Sequence, residues 1–242
     1  MAEEYGRRLG ASDVRTSAVI DQGLRSYMLK VYNYMASGVA LTGFVAAFVA
    51  SQIMQNPELA NTIYGGGLGW IIMLSPLAMV MVMSFGVNKL SAFALQASFW
   101  VFAALMGLSL ASIFLMYTGE SIARVFFITA ASFGALSLWG YTTKKDLTGW
   151  GSFLIMGLFG IIIASVVNIF MASSAMDFAI SVIGVLIFAG LTAYDTQKIK
   201  EMYWEADGHE VASKKAIMGA LRLYLDFINL FLMLLRLLGN RE

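Results

Sequence analysis

Long apolar runs separated by short polar segments make up most of the chain. Each run is about 20 residues long, the length that an α-helix needs to cross a hydrocarbon core about 30 Å thick. Turn-forming residues or charges interrupt the sequence between the runs. The pattern therefore predicts about seven membrane-spanning helices, near residues 31–52, 68–87, 92–117, 121–141, 150–172, 178–197 and 216–238.

The segments between these runs are too short for a second soluble domain. The sequence predicts a short cytosolic polar tail at 1–30, a single seven-helix transmembrane domain at 31–238 and a short C-terminal tail at 239–242. Because the first thirty residues contain several arginines and no apolar run, we expect no cleavable signal peptide. The predicted fold class is an all-α integral membrane protein.

Composition supports a membrane protein. Hydrophobic residues make up 59% of the chain, charged residues make up 13%, and the mean hydropathy is +0.75. A net charge of +1 and the lack of a basic patch interleaved with aromatic residues give no reason to expect a nucleic-acid partner. The chain has no cysteine, which excludes disulfides and thiol nucleophiles. The lipid bilayer is therefore the first partner that the sequence predicts.

The charges in the loops predict an orientation. Loops 53–67, 117–120 and 172–177 contain no lysine or arginine. The N-terminal tail contains arginine and lysine. The alternate loops contain lysine, at Lys89, Lys144, Lys145, Lys198, Lys200, Lys214 and Lys215. By the positive-inside rule, we expect a multi-pass protein of the cell (inner) membrane with a cytoplasmic N-terminus and a C-terminus on the opposite side. Arg236 and Arg241 leave a re-entrant last segment as an alternative.

Small residues at four-residue spacing recur inside the runs, at Gly107/Ala111, Ala130/Gly134 and Ala189/Ala193. In lipid, such pairs allow helix backbones to approach closely. We interpret all three pairs as helix-packing contacts.

Few ionisable residues remain at membrane depth. An ionised aspartate near the centre of a bilayer costs about 3 kcal/mol on insertion scales, so Asp226 should face the bundle interior or water and have a partner. The best candidate is Asp195, near the end of the preceding run. The predicted boundaries place the two at depths that differ by about 10 Å, unless one boundary is misplaced.

Two neighbouring carboxylates in a low dielectric cannot both ionise freely, so Asp195 and Asp226 are expected to share a proton and to respond to pH. When deprotonated they would attract a hard cation. Two carboxylates fall short of the six to eight oxygens that Ca²⁺ prefers, so the sequence predicts a transient Ca²⁺ site. A structural alternative remains for each residue: Arg222 could neutralise Asp226 from one turn away, and Lys198 could satisfy Asp195.

Three segments resemble the Bax inhibitor (transmembrane Bax inhibitor motif, TMBIM) family, and the short loops resemble those of a bacterial member. They are GYTTKKDL at 140–147, GLTAYDTQKIK at 190–200 and LRLYLDFINLF at 221–231. The resemblance extends from about residue 25 onwards. It implies that the last helix, at about 216–238, is central and surrounded by the other six. It also implies a pH-dependent Ca²⁺ leak channel in which Asp195 and Asp226 form the pH sensor and gate.

The resemblance implies no tightly bound cofactor, with Ca²⁺ as the permeant ion and protons as the regulator. Arg222, Tyr194 and Asn229 are candidate supporting residues. A bacterial relative uses an arginine at the end of its second helix as a latch on the first aspartate. The only basic candidate in that region is Lys89, and a lysine cannot make the two-pronged pair that an arginine makes.

Two other functions stay open. The first is a non-transporting membrane regulator that binds a partner, because bacterial members of the family are linked to an FtsH-type membrane AAA protease. The second is an intramembrane aspartyl protease, in which two aspartates activate water. Tyr194-Asp195 matches half of the protease pattern, but Asp226 follows Leu-Tyr-Leu instead of Gly-x-Gly. We therefore expect a protein that is not an enzyme and has no catalytic residue.

Overall fold

A computed structural model describes the backbone of residues 2–241 and the side chains of residues 22–241. Nine helices follow one another, and no strand occurs between residues 2 and 241. An isolated β-bridge joins Tyr117 to Arg241. The helices are α1 (Ala2–Gln55), α2 (Glu58–Tyr64), α3 (Gly66–Gly86), α4 (Ala92–Leu110), α5 (Ile113–Met116), α6 (Gly119–Thr142), α7 (Thr148–Met171), α8 (Ser174–Glu201) and α9 (His209–Leu238).

Seven of these segments are long and apolar enough to cross a membrane, which confirms the predicted all-α membrane fold. The spanning segments are Gln22–Gln55 of α1, Gly66–Gly86, Ala92–Met116, Gly119–Thr142, Thr148–Met171, Ser174–Glu201 and His209–Leu238. Serine and threonine residues begin three of them, since Ser91, Thr118 and Ser173 each accept a hydrogen bond from a backbone N–H in the first turn of α4, α6 and α8.

Several predicted boundaries are wrong because charged residues continue the helices beyond the apolar runs. The predicted loop 198–215 is reduced to residues 202–208, between α8 and α9. Ion pairs along the helix surfaces support these extensions: Lys198 lies 2.6 Å from Glu201, and Lys214 lies 3.1 Å from Glu210. Helix α1 likewise includes most of the predicted tail at 1–30. The cytosolic location of that tail stays a prediction, and the side chains of residues 1–21 lie outside the described part.

Helix α9 is the most buried of the spanning helices. Two thirds of its most apolar stretch (67%) is buried, against 11–39% in the other six. It packs against α1, α4, α6 and α8. The prediction that all six other helices surround α9 is not confirmed, because α3 packs mainly on α4 and α7 packs mainly on α8.

Helix α9 crosses the whole bundle. Beyond its end, Asn240 accepts a hydrogen bond from the Thr118 backbone N–H at 3.2 Å and donates one to Ser121 at 2.8 Å, at the start of α6. The other end of α6 leads into the 143–147 connection. A re-entrant last segment is therefore not what the structure shows. We call the end of the bundle that carries the connections 87–91, 143–147 and 202–208 the basic end.

Small residues make close helix contacts at some predicted positions and not at others. A Cβ at Gly107 would collide with Thr42 and Val45 of α1, and a Cβ at Gly140 would collide with the backbone of Ala193 on α8. Gly134 has no neighbouring atom within 4 Å of an added Cβ. The interpretation of Ala130/Gly134 as a packing pair is therefore wrong, because α6 and α1 stand apart at this level and leave a groove.

We expect Gly140→Ala to lower the free energy of unfolding by about 1–3 kcal/mol, because the added methyl group overpacks the contact with Ala193. Gly134→Ala on the same helix is the matched control. It should leave stability unchanged or raise it by about 1 kcal/mol through helix propensity. Thermal unfolding of the detergent-solubilised variants measures the difference, and equal effects of the two substitutions would contradict the close contact between α6 and α8.

Candidate functional site

The two predicted aspartates lie side by side between α8 and α9. Asp226 is buried, with 5% of its surface exposed, and the side chain of Asp195 is 17% exposed. The two carboxyl groups lie close enough to interact directly. The structure thus brings together the two residues that the sequence singled out.

The predicted depth difference of about 10 Å is wrong because α9 extends beyond α8 at the basic end. Gly219 packs against Ile199, so these two residues lie at the same level. At 1.5 Å per residue, Asp195 lies about 6 Å deeper than that level and Asp226 about 10 Å deeper. The difference in depth is thus only about 4 Å, which the two side chains can span.

Arg222 belongs to the same site, although its partner differs from the predicted one. It lies one turn before Asp226 on α9, but its Nη1 atom is 4.0 Å from Oδ1 of Asp195. The side chain of Arg222 is 52% exposed, whereas Asp226 is buried deeper between α8 and α9. The predicted neutralisation of Asp226 by Arg222 is therefore replaced by an ion pair with Asp195.

Lys198, the other predicted partner of Asp195, has different contacts. Its ammonium group lies 2.6 Å from Glu201 and donates a hydrogen bond to Thr148 at 2.7 Å. Because Lys198 follows Asp195 by three residues near the end of α8, its long side chain reaches the polar surface of the basic end.

One carboxyl oxygen of Asp226 lacks a hydrogen-bond donor among the described residues. Its Oδ2 atom is buried and accepts no hydrogen bond from the part of the chain that the structure describes. An unpaired carboxylate in such a place is expensive, and two adjacent carboxylates repel each other when both are ionised. A proton held between Asp195 and Asp226 satisfies both conditions.

Two tyrosines lie between this site and the basic end. The rings of Tyr27 on α1 and Tyr203 after α8 are 5.7 Å apart, and Gly23 packs against the Tyr203 hydroxyl. The Tyr27 hydroxyl is itself buried, with no hydrogen-bond partner among the described residues. These two aromatic rings join α1 to the segment that follows α8, on the side of the site that faces the basic end.

The remaining predicted site residues have other contacts. The Tyr194 ring packs against Gly151 on α7, and Asn229 donates a hydrogen bond to the Leu225 carbonyl of its own helix at 2.8 Å. Lys89 is exposed and makes no ion pair with residues 22–241. No group of three or more acidic, histidine or cysteine side chains that could hold a metal occurs within the described chain. Asp195 and Asp226 stay the candidate ligands of the predicted transient Ca²⁺ site.

Sequence reasoning missed Gln197, which holds the connection between α6 and α7. Its Oε1 atom accepts a hydrogen bond from the Leu147 backbone N–H, and its Nε2 atom donates one to the Lys145 carbonyl, both at 2.8 Å. In the same connection, hydrogen bonds from the Thr148 side chain and backbone lower the pKa of the Asp146 carboxyl. The signal available in the sequence was a glutamine at the end of an apolar run, two residues after Asp195.

A chain of hydroxyl groups was missed as well. The Tyr32 hydroxyl lies 2.6 Å from Ser137 Oγ, which in turn lies 2.9 Å from Thr196 Oγ1. Thr196 also donates to the Thr192 carbonyl at 2.7 Å. These contacts join α1, α6 and α8 at a level next to Asp195, and single small polar residues in apolar runs gave little indication of them.

Comparison with known proteins adds the family. Residues 24–242 match the family described as "Inhibitor of apoptosis-promoting Bax1". The chain is 52% identical over 222 residues to "Uncharacterized protein RP147" of Rickettsia prowazekii (strain Madrid E), with 92% of each chain covered. It is 49% identical over 223 residues to "Inner membrane protein YbhL" of Escherichia coli (strain K12), covering 91% of this chain and 94% of that protein. A Streptococcus pyogenes protein named as an uncharacterized membrane protein is 37% identical over 226 residues, covering 92% and 96%.

We expect Gln197→Ala to loosen the connection between α6 and α7, because the buried Leu147 N–H loses its acceptor at a cost of about 1–3 kcal/mol. Hydrogen exchange in residues 143–148 should become faster. Thr142→Ala is the control, since the Thr142 hydroxyl bonds to carbonyls of its own helix. Unchanged exchange in Gln197→Ala would contradict the role of this side chain.

Proposed function

The chain belongs to the Bax inhibitor family, and from that premise we propose that it is a pH-sensitive calcium (cation) leak channel gated by Asp195 and Asp226. The observation that carries this proposal is the buried Asp226 carboxyl, which lies beside Asp195 and whose Oδ2 atom accepts no hydrogen bond from a described donor. We propose no catalytic residue and no tightly bound cofactor.

The proposed gate depends on one proton. With the proton present, a hydrogen bond between the two carboxyl groups joins α8 to α9 in the closed state. Loss of the proton leaves two negative charges side by side in a low dielectric, and their repulsion favours separation of the helices or entry of a cation. Protons are therefore the regulator in this proposal, and the helix contact is the element that moves.

Arg222 determines which aspartate keeps the proton. Its guanidinium group faces Asp195, which favours an ionised Asp195 and leaves the proton on the more buried Asp226. The positive charge also lies on the side from which a cation would approach the site. In this proposal Arg222 is the basic residue that pairs with Asp195, the role for which Lys89 was the only candidate near the end of the second span.

The small number of ligands fits a permeant Ca²⁺ ion better than a stored one. Two carboxylates supply at most four oxygens, whereas a tight Ca²⁺ site uses six to eight. Conduction requires binding that is weak enough to release the ion. The location proposed for this channel is the inner membrane, with the basic end and the N-terminus in the cytoplasm by the positive-inside rule.

We expect Ca²⁺ flux into proteoliposomes to rise between about pH 6 and about pH 8, because loss of the shared proton opens the proposed gate. Asp195→Asn and Asp226→Asn should each abolish that rise, because one proton is shared by both residues. Asp177→Asn is the matched control. Asp177 is also on α8, but it is partly exposed and lies 3.5 Å from Arg236. This variant should keep the wild-type profile.

Two outcomes would contradict the channel. One is a flux no greater than in empty liposomes, from a protein that a thermal-unfolding measurement shows to be folded. The other is a pH dependence that survives in either Asp195→Asn or Asp226→Asn.

A second candidate function is regulation of a membrane partner such as an FtsH-type AAA protease. The observation that favours it is the exposure of two hydrophobic side chains on the surface of the basic end, Trp204 at 67% and Val211 at 47%. Aromatic residues are enriched at protein interfaces. This surface lies at the end of the bundle for which we propose the cytoplasm.

If this surface binds the protease, Trp204→Ser should weaken association in co-reconstituted liposomes without changing Ca²⁺ flux. Trp70→Ser is the control, since Trp70 is 64% exposed but lies on α3, far from the basic end. Equal association of both variants with an FtsH-type protease would exclude this surface as the binding site.

A further inference from the structure

A deep apolar groove runs along the bundle between α1 and α6. Its volume is about 740 Å³, within the range of about 300–1,000 Å³ that is usual for small-molecule sites. Phe227 of α9 contributes to its floor, and Val39 and Gly134 line opposite walls. A smaller cavity of about 290 Å³ continues from the same Val39 and Phe227 towards Gly119, at the end of the bundle away from the basic end.

We propose that this groove binds an acyl chain of an anionic phospholipid from the leaflet at the basic end, with the phosphate held by Arg25 and Lys200. The groove lies within the membrane-spanning part of the chain, so its occupant comes from the bilayer. This proposal is independent of ion transport and of the aspartate pair.

The length of the groove fits one leaflet. Along α1 it extends from Arg25 to Ala40, and fifteen residues at 1.5 Å each span about 22 Å. One leaflet with its headgroup region is about 20–22 Å deep, half of a bilayer of about 40–45 Å. A lipid with its phosphate beside Arg25 therefore places the end of its acyl chain near Val39 and Phe227.

The charges at the mouth of the groove fit an anionic headgroup. Arg25 lines the mouth on the α1 side. On the α6 side, Lys200 donates a hydrogen bond to the Tyr141 carbonyl at 2.8 Å and lies 5.1 Å from the centre of the Tyr141 ring, which lines the groove. Arginine and lysine are the residues that bind phosphate oxygens. One cation thus lines the opening, and a second contacts a residue of the opposite wall.

Below the mouth, the walls fit hydrocarbon. The lining is mostly apolar. Tyr141 lies at the mouth, and the two hydroxyl groups deeper in the groove, of Tyr32 and Ser137, are hydrogen-bonded to each other at 2.6 Å. These two hydroxyl groups therefore need no hydrogen-bond partner on the bound molecule.

A transmembrane helix accounts less well for the charges at the mouth of the groove. An apolar helix face offers no anion to Arg25 and Lys200, whereas a phospholipid supplies a phosphate at that end. A second copy of this chain is the alternative that the experiments below distinguish.

Native mass spectrometry of the detergent-solubilised chain, titrated with phosphatidylglycerol, tests the acyl site. Gly134→Leu should fill the groove and weaken binding about tenfold. Gly160→Leu is the matched control, because Gly160 on α7 is also exposed and, like Gly134, has no atom within 4 Å of an added Cβ. Both variants are expected to melt like the wild type. Equal lipid binding by the two variants would show surface lipid only and would overturn the proposal.

Phosphatidylcholine in the same titration tests the headgroup part. Wild type should prefer phosphatidylglycerol, and Arg25→Gln and Lys200→Gln should each reduce that preference, while Lys89→Gln should keep it. An equal affinity for both lipids, or a preference that is unchanged in Arg25→Gln and Lys200→Gln, would overturn the phosphate site. A dimer that Gly134→Leu dissociates would instead assign the groove to a second copy of the chain.

Discussion

A carboxyl group in the interior of a membrane protein needs either a partner or a proton, and this requirement on Asp226 shapes the contact between α8 and α9. Asp226 is buried on the most buried helix of the bundle, and its neighbour across the helix contact is a second carboxyl, that of Asp195. Arg222 faces Asp195, and Oδ2 of Asp226 has no described donor. In the proposed gate, the contact is therefore stable with one proton and unfavourable without it, so that the packing of the two helices depends on protons.

The sequence predicted the parts of this fold that depend on hydropathy and on isolated charges. The seven spans follow from the apolar runs, and a lone aspartate in the last run identified Asp226. The ends of α8 and α9 could not be predicted in this way, because hydropathy marks the membrane boundary and not the end of the helix. The stagger of α9 past α8 was therefore missed, and with it the reach of Arg222 to Asp195 instead of Asp226.

Small residues show a further limit of sequence reasoning. Gly134 and Gly140 lie on the same helix six residues apart, yet Gly140 packs against Ala193 while Gly134 faces an open groove. Spacing alone shows where a helix surface is small, and the arrangement of the neighbouring helices decides whether another helix fills that surface. Helix α9 connects the two features of interest, because Phe227, on the floor of the groove, directly follows Asp226.

The central claim is that Asp195 and Asp226 hold one proton between them near neutral pH. Infrared difference spectroscopy of the reconstituted protein, titrated between about pH 6 and about pH 8, observes a protonated carboxyl directly through its C=O stretch. The account predicts one protonated carboxyl that is lost as the pH rises, is absent in Asp226→Asn and is unaffected in Asp177→Asn. If the spectrum shows no protonated carboxyl at any of these pH values, or if the band persists in Asp226→Asn, the shared proton and the gate that depends on it are contradicted.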